Sequence, residues 1–116
     1  MTSNDFFERQ KTFCSEREIE CMPVDEQSIA GFAVSTKGLM PLNGLRHPCV
    51  ENSNGWFIWS GEDMSPADDF FSPVHTNHIL EEYPQLTPIL GLPPGYRFLT
   101  DGDHLDLWYD PLLLNV

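Results

Sequence analysis

The chain has 116 residues, the size of a single domain, and its 41% hydrophobic content with eight Phe, three Trp and three Tyr excludes wholesale disorder. Eighteen acidic against six basic residues give a formal charge of −12, which disfavours nucleic acid and anionic membrane surfaces as partners. The longest apolar run, residues 56–59, is far shorter than the ~20 residues that span a bilayer, so we expect no transmembrane helix.

The negative charge is concentrated in the second half of the chain. Residues 1–55 hold eight acids and five bases, whereas residues 56–116 hold ten acids and one base, Arg97, giving net charges of −3 and −9. Such a field can steer a basic partner toward its docking site. It can equally serve only to keep the protein soluble.

The N-terminal residues and the cysteines indicate the compartment. Residues 1–11 lack the apolar stretch of a secretory signal. The three cysteines, Cys14, Cys21 and Cys49, are odd in number and have no CxxC spacing, which suits neither a disulfide framework nor a zinc site. We therefore expect a cytoplasmic protein with reduced thiols.

The first element predicted is a helix. Ser3 or Asn4 can cap a helix over residues 5–15, which carries a loosely amphipathic face. That face is formed by Phe6, Phe7, Gln10 and Phe13.

The next stretch of chain predicts two loops around one strand. Residues 16–27 are acidic, and their apolar residues repeat with neither the helical nor the strand period, so they predict a connecting loop. Small and β-forming side chains in residues 29–35 predict a first strand. The Pro residues and Asn-Gly pairs of residues 40–55 predict a long ordered loop.

A central strand and a broken helix follow. Four consecutive large apolar residues within residues 56–60 predict a strand buried on both faces, and the acidic residues 62–72 predict a surface loop anchored by Phe70 and Phe71. Ser72-Pro73 is typical of a helix start. A stripe at helical spacing comprises His75, Ile79, Tyr83, Leu86 and Leu90. Pro84 and Pro88 predict a break near Tyr83, followed by one or two short turns.

The last elements predicted are an antiparallel pair of strands. Residues 96–100 and 105–109 are alternating apolar segments, and the Asp-Gly-Asp-His sequence between them has the composition of a hairpin connection. Residues 112–116 are mostly apolar, so we expect them to pack back on the body of the protein.

Together these elements predict an α+β fold. We expect a single domain over residues 1–116, with an antiparallel sheet of about four strands and the N-terminal and central helices packed on one face. Residues 1–28 would supply the N-terminal helix and acidic connector, and residues 29–116 the core.

The sequence offers only weak signals for a metal site. The acidic run from Asp101 to Asp106 superficially matches a calcium loop, but the places of the turn glycine and the bidentate glutamate hold Asp106 and Leu112. His75 and His78 lie one helical turn apart, but they need further ligands to hold a metal. We expect no metal and no cofactor.

Signals for catalysis are weak as well. Ser60 lacks the Gly-x-Ser-x-Gly context, and Cys49 lies near His47 in a Pro-rich loop, where adjacent side chains usually diverge. Paired acids such as Glu62-Asp63 show no apolar surroundings that would raise a pKa for acid catalysis. We expect no catalytic residue and no enzymatic activity.

Several segments, taken together, resemble a known family. They are Asn43-Gly44-Leu45-Arg46-His47-Pro48, Gly55-Trp56-Phe57-Ile58-Trp59-Ser60-Gly61-Glu62, Asp69-Phe70-Phe71 with Pro73-Val74-His75, Gly91-Leu92-Pro93-Pro94-Gly95-Tyr96-Arg97-Phe98-Leu99, and Asp106-Leu107-Trp108-Tyr109-Asp110 with Leu113-Leu114-Asn115. Over residues 29–116 the chain resembles the bacterial immunity protein 33 family, while residues 1–28 show no resemblance that we can name.

The resemblance implies a role in a bacterial polymorphic toxin system. Members of that family are found beside toxin genes and are thought to neutralise a cognate toxin. The resemblance therefore implies that this protein is a toxin inhibitor whose partner is a cognate toxin protein domain. Because the family has no catalytic motif, the resemblance implies a role and no site residue.

We place the partner-binding surface on the acids of the second half, because a toxin inhibitor often has to match a basic substrate-binding cleft. The predicted surface comprises Glu62, Asp63, Asp68 and Asp69 on one loop and Asp101, Asp103 and Asp106 on the hairpin. Four aromatic residues in the predicted strands are expected in the core instead. They are Trp56, Trp59, Phe98 and Trp108.

Two other functions are compatible with the sequence. One is a non-catalytic adaptor or small-ligand-binding domain of unrelated role, and the other is a metal-dependent hydrolase that uses the histidines and aspartates. The sequence leaves open which toxin is bound, whether its active site is occluded, and which oligomeric state the protein has.

Overall fold

The computed structural model describes residues 2–62 and 69–115, with the side chains of residues 5–62 and 69–115. The described residues fall into two compact units. The first lies within Met1–Ser28 and His75–Pro93, and the second within Ile29–Val74 and Pro94–Val116. An α+β composition is confirmed, and the single domain over residues 1–116 stays a prediction.

The first unit begins with helix α1, Thr2–Glu16, which confirms the helix predicted over residues 5–15. Phe6, Gln10 and Phe13 are buried along one face of α1, as their spacing predicts. The Gln10 amide holds the following loop, because its Oε1 accepts the Val24 N–H at 2.8 Å and its Nε2 donates to the Val24 carbonyl at 3.2 Å. The buried Gln10 side chain thus has hydrogen-bond partners on both atoms of its amide and holds the loop after α1 at Val24.

The central helix of the first unit is shorter than the sequence predicts. Helix α2 spans Thr76–Glu82, and two single 3₁₀ turns, Pro84–Leu86 and Ile89–Gly91, follow it. The predicted break at Tyr83 is confirmed. The predicted start at Ser72 is wrong, because Ser72 and Pro73 belong to a strand that leads into α2.

The second unit is built on a mixed sheet. The six described strands are β1 Ile29–Phe32, β2 Leu42–Arg46, β3 Ser53–Ser60, β4 Ser72–His75, β5 Tyr96–Thr100 and β6 Leu105–Tyr109, and only His75 at the end of β4 is assigned to the first unit. Their order in the sheet is β4-β1-β3-β2-β5-β6. The prediction of about four antiparallel strands is wrong in detail, since β1 runs parallel to β3 and two further strands, β2 and β4, are present.

The prediction of a long loop over residues 40–55 is wrong, because strand β2 lies within these residues. All five residues of β2 are buried, although Asn43-Gly44 is a typical turn pair. Gly44 lies opposite Phe98 of β5, and a Cβ added at Gly44 would overlap the Phe98 ring. Tertiary packing therefore explains a glycine that, read locally, indicates a turn.

Strand β3 occupies the middle of the sheet, as its four apolar residues predict. Trp56 and Ile58 are fully buried on what we call the first face, which also carries Phe98. Phe57 and Trp59 lie on the opposite, second face. A cluster on the second face comprises Ala33, Leu45, Trp59 and Leu113, with Phe57, Phe70 and Phe71 packed against it.

The C-terminal segment packs back only in part. A 3₁₀ turn spans Pro111–Leu114, and its N-cap Asp110 accepts the Leu112 N–H at 3.1 Å. Leu113 is buried, and its carbonyl lies 2.8 Å from His47 Nδ1. Leu112 and Leu114 are exposed, so packing is confirmed for Leu113 and is wrong for its two neighbours.

The contact between Gly44 and Phe98 yields a stability test. We expect Gly44→Ala to lower the free energy of unfolding by about 1–3 kcal/mol, because the added methyl group overpacks a buried ring. Urea unfolding measures this loss. In a Phe98→Leu background the same substitution should cost clearly less, so additive effects of the two changes would contradict the contact.

Candidate docking surface

The strand register places several predicted site residues at one end of the sheet. Leu42 of β2 lies opposite Ser60 of β3 and opposite Thr100 of β5, and Thr100 lies opposite Leu105 of β6. We call this the Ser60 end of the sheet. Both the turn after β3 and the β5–β6 hairpin leave the sheet there. Two strand spacings, roughly 10 Å in total, separate β3 from β5.

Acidic residues from both segments are exposed at the Ser60 end. Glu62 follows β3, and Asp101 and Asp103 lie in the hairpin. Asp106 is exposed one position inside β6, on the second face of the sheet. The sequence interval between the two segments is about forty residues, and only the pairing of β3, β2 and β5 brings them near each other.

The remaining acids of the predicted surface lie on the connection from β3 to β4. Asp69 is exposed beside Phe70, whose ring centroid is 4.9 Å from that of Phe71. The Phe71 ring lies 5.2 Å from that of Phe57, which anchors this connection on the second face. Asp63 and Asp68 lie outside the described residues.

The carboxylate of Asp101 shapes the hairpin. Its Oδ1 accepts the N–H groups of Asp103 and His104 at 3.1 and 2.9 Å. Thr100 Oγ1 donates to the His104 carbonyl at 2.6 Å and so closes the turn from the other side. Gly102 adopts a φ of +101°, a conformation that suits glycine in such a turn.

These hydrogen bonds favour the ionised form of the Asp101 carboxyl group. Donation from the His104 N–H, and then from the Asp103 N–H, lowers the pKa of the Asp101 carboxyl below its ordinary value. Asp101 therefore combines a local structural role with a negative charge that these hydrogen bonds favour. The sequence indicated the charge of this residue but not its part in the turn.

The Ser60 end also carries apolar residues that the sequence analysis missed. Leu39 and Met40 are 56% and 50% exposed. They belong to the segment between β1 and β2, where the Gly61 N–H donates to the Pro41 carbonyl at 2.8 Å and the Ser60 N–H donates to Thr36 Oγ1 at 2.9 Å. Exposed apolar side chains beside acids are typical of an interface with a polar rim.

Among the four aromatic residues expected in the core, one prediction is wrong. Trp56, Trp59 and Phe98 are buried, whereas Trp108 is 42% exposed. Trp108 lies on β6 opposite Arg97, and the guanidinium carbon of Arg97 is 5.6 Å from the centroid of the Trp108 ring. No local signal distinguishes Trp108 from the others, since its exposure follows from the position of β6 at the edge of the sheet.

Arg97, the one base of the second half of the sequence, is engaged nearby. Its Nη1 lies 3.3 Å from Asp110 Oδ2, and the two side chains are mostly buried. This pair neutralises Asp110 at the far end of β6. Asp101, Asp103 and Asp106 are not part of that ion pair.

The residues considered for metal binding or catalysis are placed as follows. The rings of His75 and His78 lie 5.9 Å apart, and Cys49 is exposed in the loop after His47. Within residues 2–62 and 69–115, no group of three or more His, Cys, Asp or Glu is arranged to hold a metal ion. No helix among these residues has the length and apolar character needed to cross a membrane.

Comparison with known proteins identifies the family. The sequence model of the Imm33-like domain matches residues 9–110, so the chain belongs to the Imm33-like domain family. This confirms the resemblance to the immunity protein 33 family and extends it to residues 9–28, which show no resemblance by inspection. Such immunity families are generally non-catalytic, and membership implies a toxin partner in general terms. No curated protein and no solved structure matches the chain.

The ionisation of Asp101 can be tested by titration. We expect the midpoint of its carboxyl ¹³C shift to fall below the ordinary value, and the His104 amide shift to follow the same midpoint, because that N–H donates to the carboxylate. The stabilisation should be present at neutral pH and lost as pH falls through the lowered pKa. In Asp101→Asn the His104 amide should not titrate in this range. A midpoint at or above the ordinary value would refute the assignment.

Proposed function

We propose that the protein is an immunity protein that binds and neutralises a cognate bacterial toxin domain. The observation that carries the proposal is the match to the Imm33-like domain over residues 9–110. Neutralisation is stoichiometric and non-catalytic, and it takes place in the cytoplasm of the producing cell or its kin.

The proposed contact surface is the acidic one. It comprises Glu62, Asp63, Asp68, Asp69, Asp101, Asp103 and Asp106. Exposure of its described members and the common position of Glu62, Asp101 and Asp103 at the Ser60 end support it. Leu39 and Met40, exposed at the same end, supply the apolar contact that acids alone cannot provide.

The negative charge of this surface acts mainly on the rate of association with the toxin. A net charge of −9 on residues 56–116 attracts a basic toxin surface over several ångströms and raises the association rate. Affinity then depends on the apolar contacts that form after encounter, since exposed ion pairs contribute little by themselves.

The first test is direct. We expect the purified protein to capture the toxin domain encoded in its gene neighbourhood, and co-expression to restore the growth of cells that produce that toxin. Failure of both capture and protection would contradict the immunity function. It would favour the adaptor or ligand-binding alternative instead.

A matched pair of variants tests the surface. The site variant combines Glu62→Gln, Asp103→Asn and Asp106→Asn, and the control combines Glu8→Gln, Glu18→Gln and Glu20→Gln, three exposed acids of the first unit. Both variants lose the same charge. We expect the site variant to associate with the toxin domain about 10-fold more slowly at low salt, with a weaker salt dependence.

The control should associate at a rate close to that of the wild type, because the same charge is removed elsewhere. Stopped-flow association at low and physiological salt provides the measurement. Equal slowing of the two variants would show that only the total charge matters and would refute the placement of the surface.

A further inference from the structure

The exposed edge of β6 is a second feature that fits a protein partner. We infer that Leu105–Tyr109 accepts an extended, basic segment of the partner as an additional antiparallel or parallel strand. The inference rests on the proposed function, because the partner is the toxin domain. It goes further by specifying how the partner is held, through the backbone of a sheet edge.

Strand β6 is an outer strand of the described sheet, with β5 as its neighbour. Its five residues pair with β5 in continuous register, from Tyr96 opposite Tyr109 to Thr100 opposite Leu105. The strand is therefore regular along its whole length. A regular outer strand presents a row of backbone donors and acceptors to a further strand.

The backbone hydrogen bonds at the two ends of β6 reveal which groups point outward. At one end the Asp101 N–H donates to the His104 carbonyl, and at the other the Asp110 N–H donates to the Gly95 carbonyl. Hydrogen-bonded pairs alternate with non-bonded pairs in an antiparallel ladder. His104 and Asp110 are six residues apart, so Asp106 and Trp108 also bond to β5.

It follows that three residues direct their N–H and carbonyl groups away from β5. They are Leu105, Leu107 and Tyr109, which share the first face of the sheet. An added strand can bond to these groups without breaking any bond between β5 and β6. The side chains of Asp106 and Trp108, on the second face, are exposed and available to the same strand.

The opposite outer strand, β4, is protected in a way that β6 is not. Pro73 lies within β4, and proline is one of the residues that protect outer strands against the addition of a further strand. Proteins commonly protect outer strands with charged side chains, Pro or a bulge. Strand β6 contains no Pro, and its register with β5 shows no bulge. Its one charged residue, Asp106, repels an acidic strand and attracts a basic one.

The exposed acids at this edge favour binding of a basic strand. Asp103 and Asp106 are exposed at and beside β6, and Arg97 is paired with Asp110. A partner strand with Lys or Arg on the second face can pair with Asp106 and stack on the Trp108 ring. A second copy of this chain is disfavoured, because each copy carries a net charge of −12.

Residue-resolved amide exchange tests the edge in the intact protein. In the free protein we expect fast exchange at Leu105, Leu107 and Tyr109 and slow exchange at Asp106 and Trp108. Addition of the toxin domain should slow exchange at the first three amides. Binding of the toxin domain without added protection there would overturn the inference and leave the immunity function standing.

A matched pair of substitutions at Leu107 provides the functional test. Leu107→Pro removes an outward N–H and blocks strand addition, whereas Leu107→Ala shortens the same side chain and keeps the N–H. Relative to Leu107→Ala, we expect Leu107→Pro to bind the toxin domain about 10-fold more weakly or worse. Equal affinities would overturn the inference, and loss of binding by the wild type would instead overturn the proposed function.

Two further measurements test the inference if the proline variant does not fold or if the protein forms a dimer. If Leu107→Pro does not fold, Asp106→Lys takes its place, since a like charge should weaken binding of a basic strand whereas Asp106→Asn should do so less. Sedimentation equilibrium of the protein alone tests the other occupant. A dimer that protects the outward amides of β6 without toxin would replace the basic partner with a second copy.

Discussion

The double pairing of β3 is the constraint on which the second unit depends. Trp56 and Ile58 are buried on one face of this strand, and Phe57 and Trp59 lie on the other. A strand with large apolar side chains on both faces must have neighbours on both edges to satisfy its backbone. Strand β1 supplies the parallel neighbour and β2 the antiparallel one.

The candidate docking surface is a geometric consequence of that pairing. Once Leu42 is opposite Ser60, the register continues to Thr100 and Leu105 and brings the turn after β3 and the β5–β6 hairpin to the same end of the sheet. A shift of one residue in β2 would turn its buried side chains to the other face. The position of the acids at the Ser60 end therefore depends on the pairing of β2 with β3 and β5.

Residues that carry the family resemblance serve mainly the core. Trp56, Ile58 and Trp59 are buried, and Arg46 is 1% exposed and donates through Nε to the Asn54 carbonyl at 2.8 Å. These residues hold the second unit together by packing and hydrogen bonding. The resemblance is not confined to buried residues, since Glu62, Asp69 and residues 106–110 of the same segments lie at the surface or on the outer strand β6.

Local patterns in the sequence determined the elements whose side chains repeat with a clear period. The helix near the N-terminus, the central strand, the hairpin of β5 and β6, and the break at Tyr83 all follow from periodicity, turn residues or proline. The composition also determined the excess of negative charge in the second half. The family was recognisable because two segments that carry the resemblance, residues 55–62 and 92–99, are specific in sequence.

Tertiary structure alone decided the features that depend on distant partners. Asn43-Gly44 is a turn pair in isolation, but the Phe98 ring fills the space that a side chain at Gly44 would occupy, so the pair lies in a buried strand. Trp108 is exposed because no described strand pairs with the outer side of β6. The parallel pairing of β1 with β3 depends on contacts between residues far apart in sequence, which no local pattern encodes. The same holds for the placement of Glu62 and the hairpin at one end of the sheet.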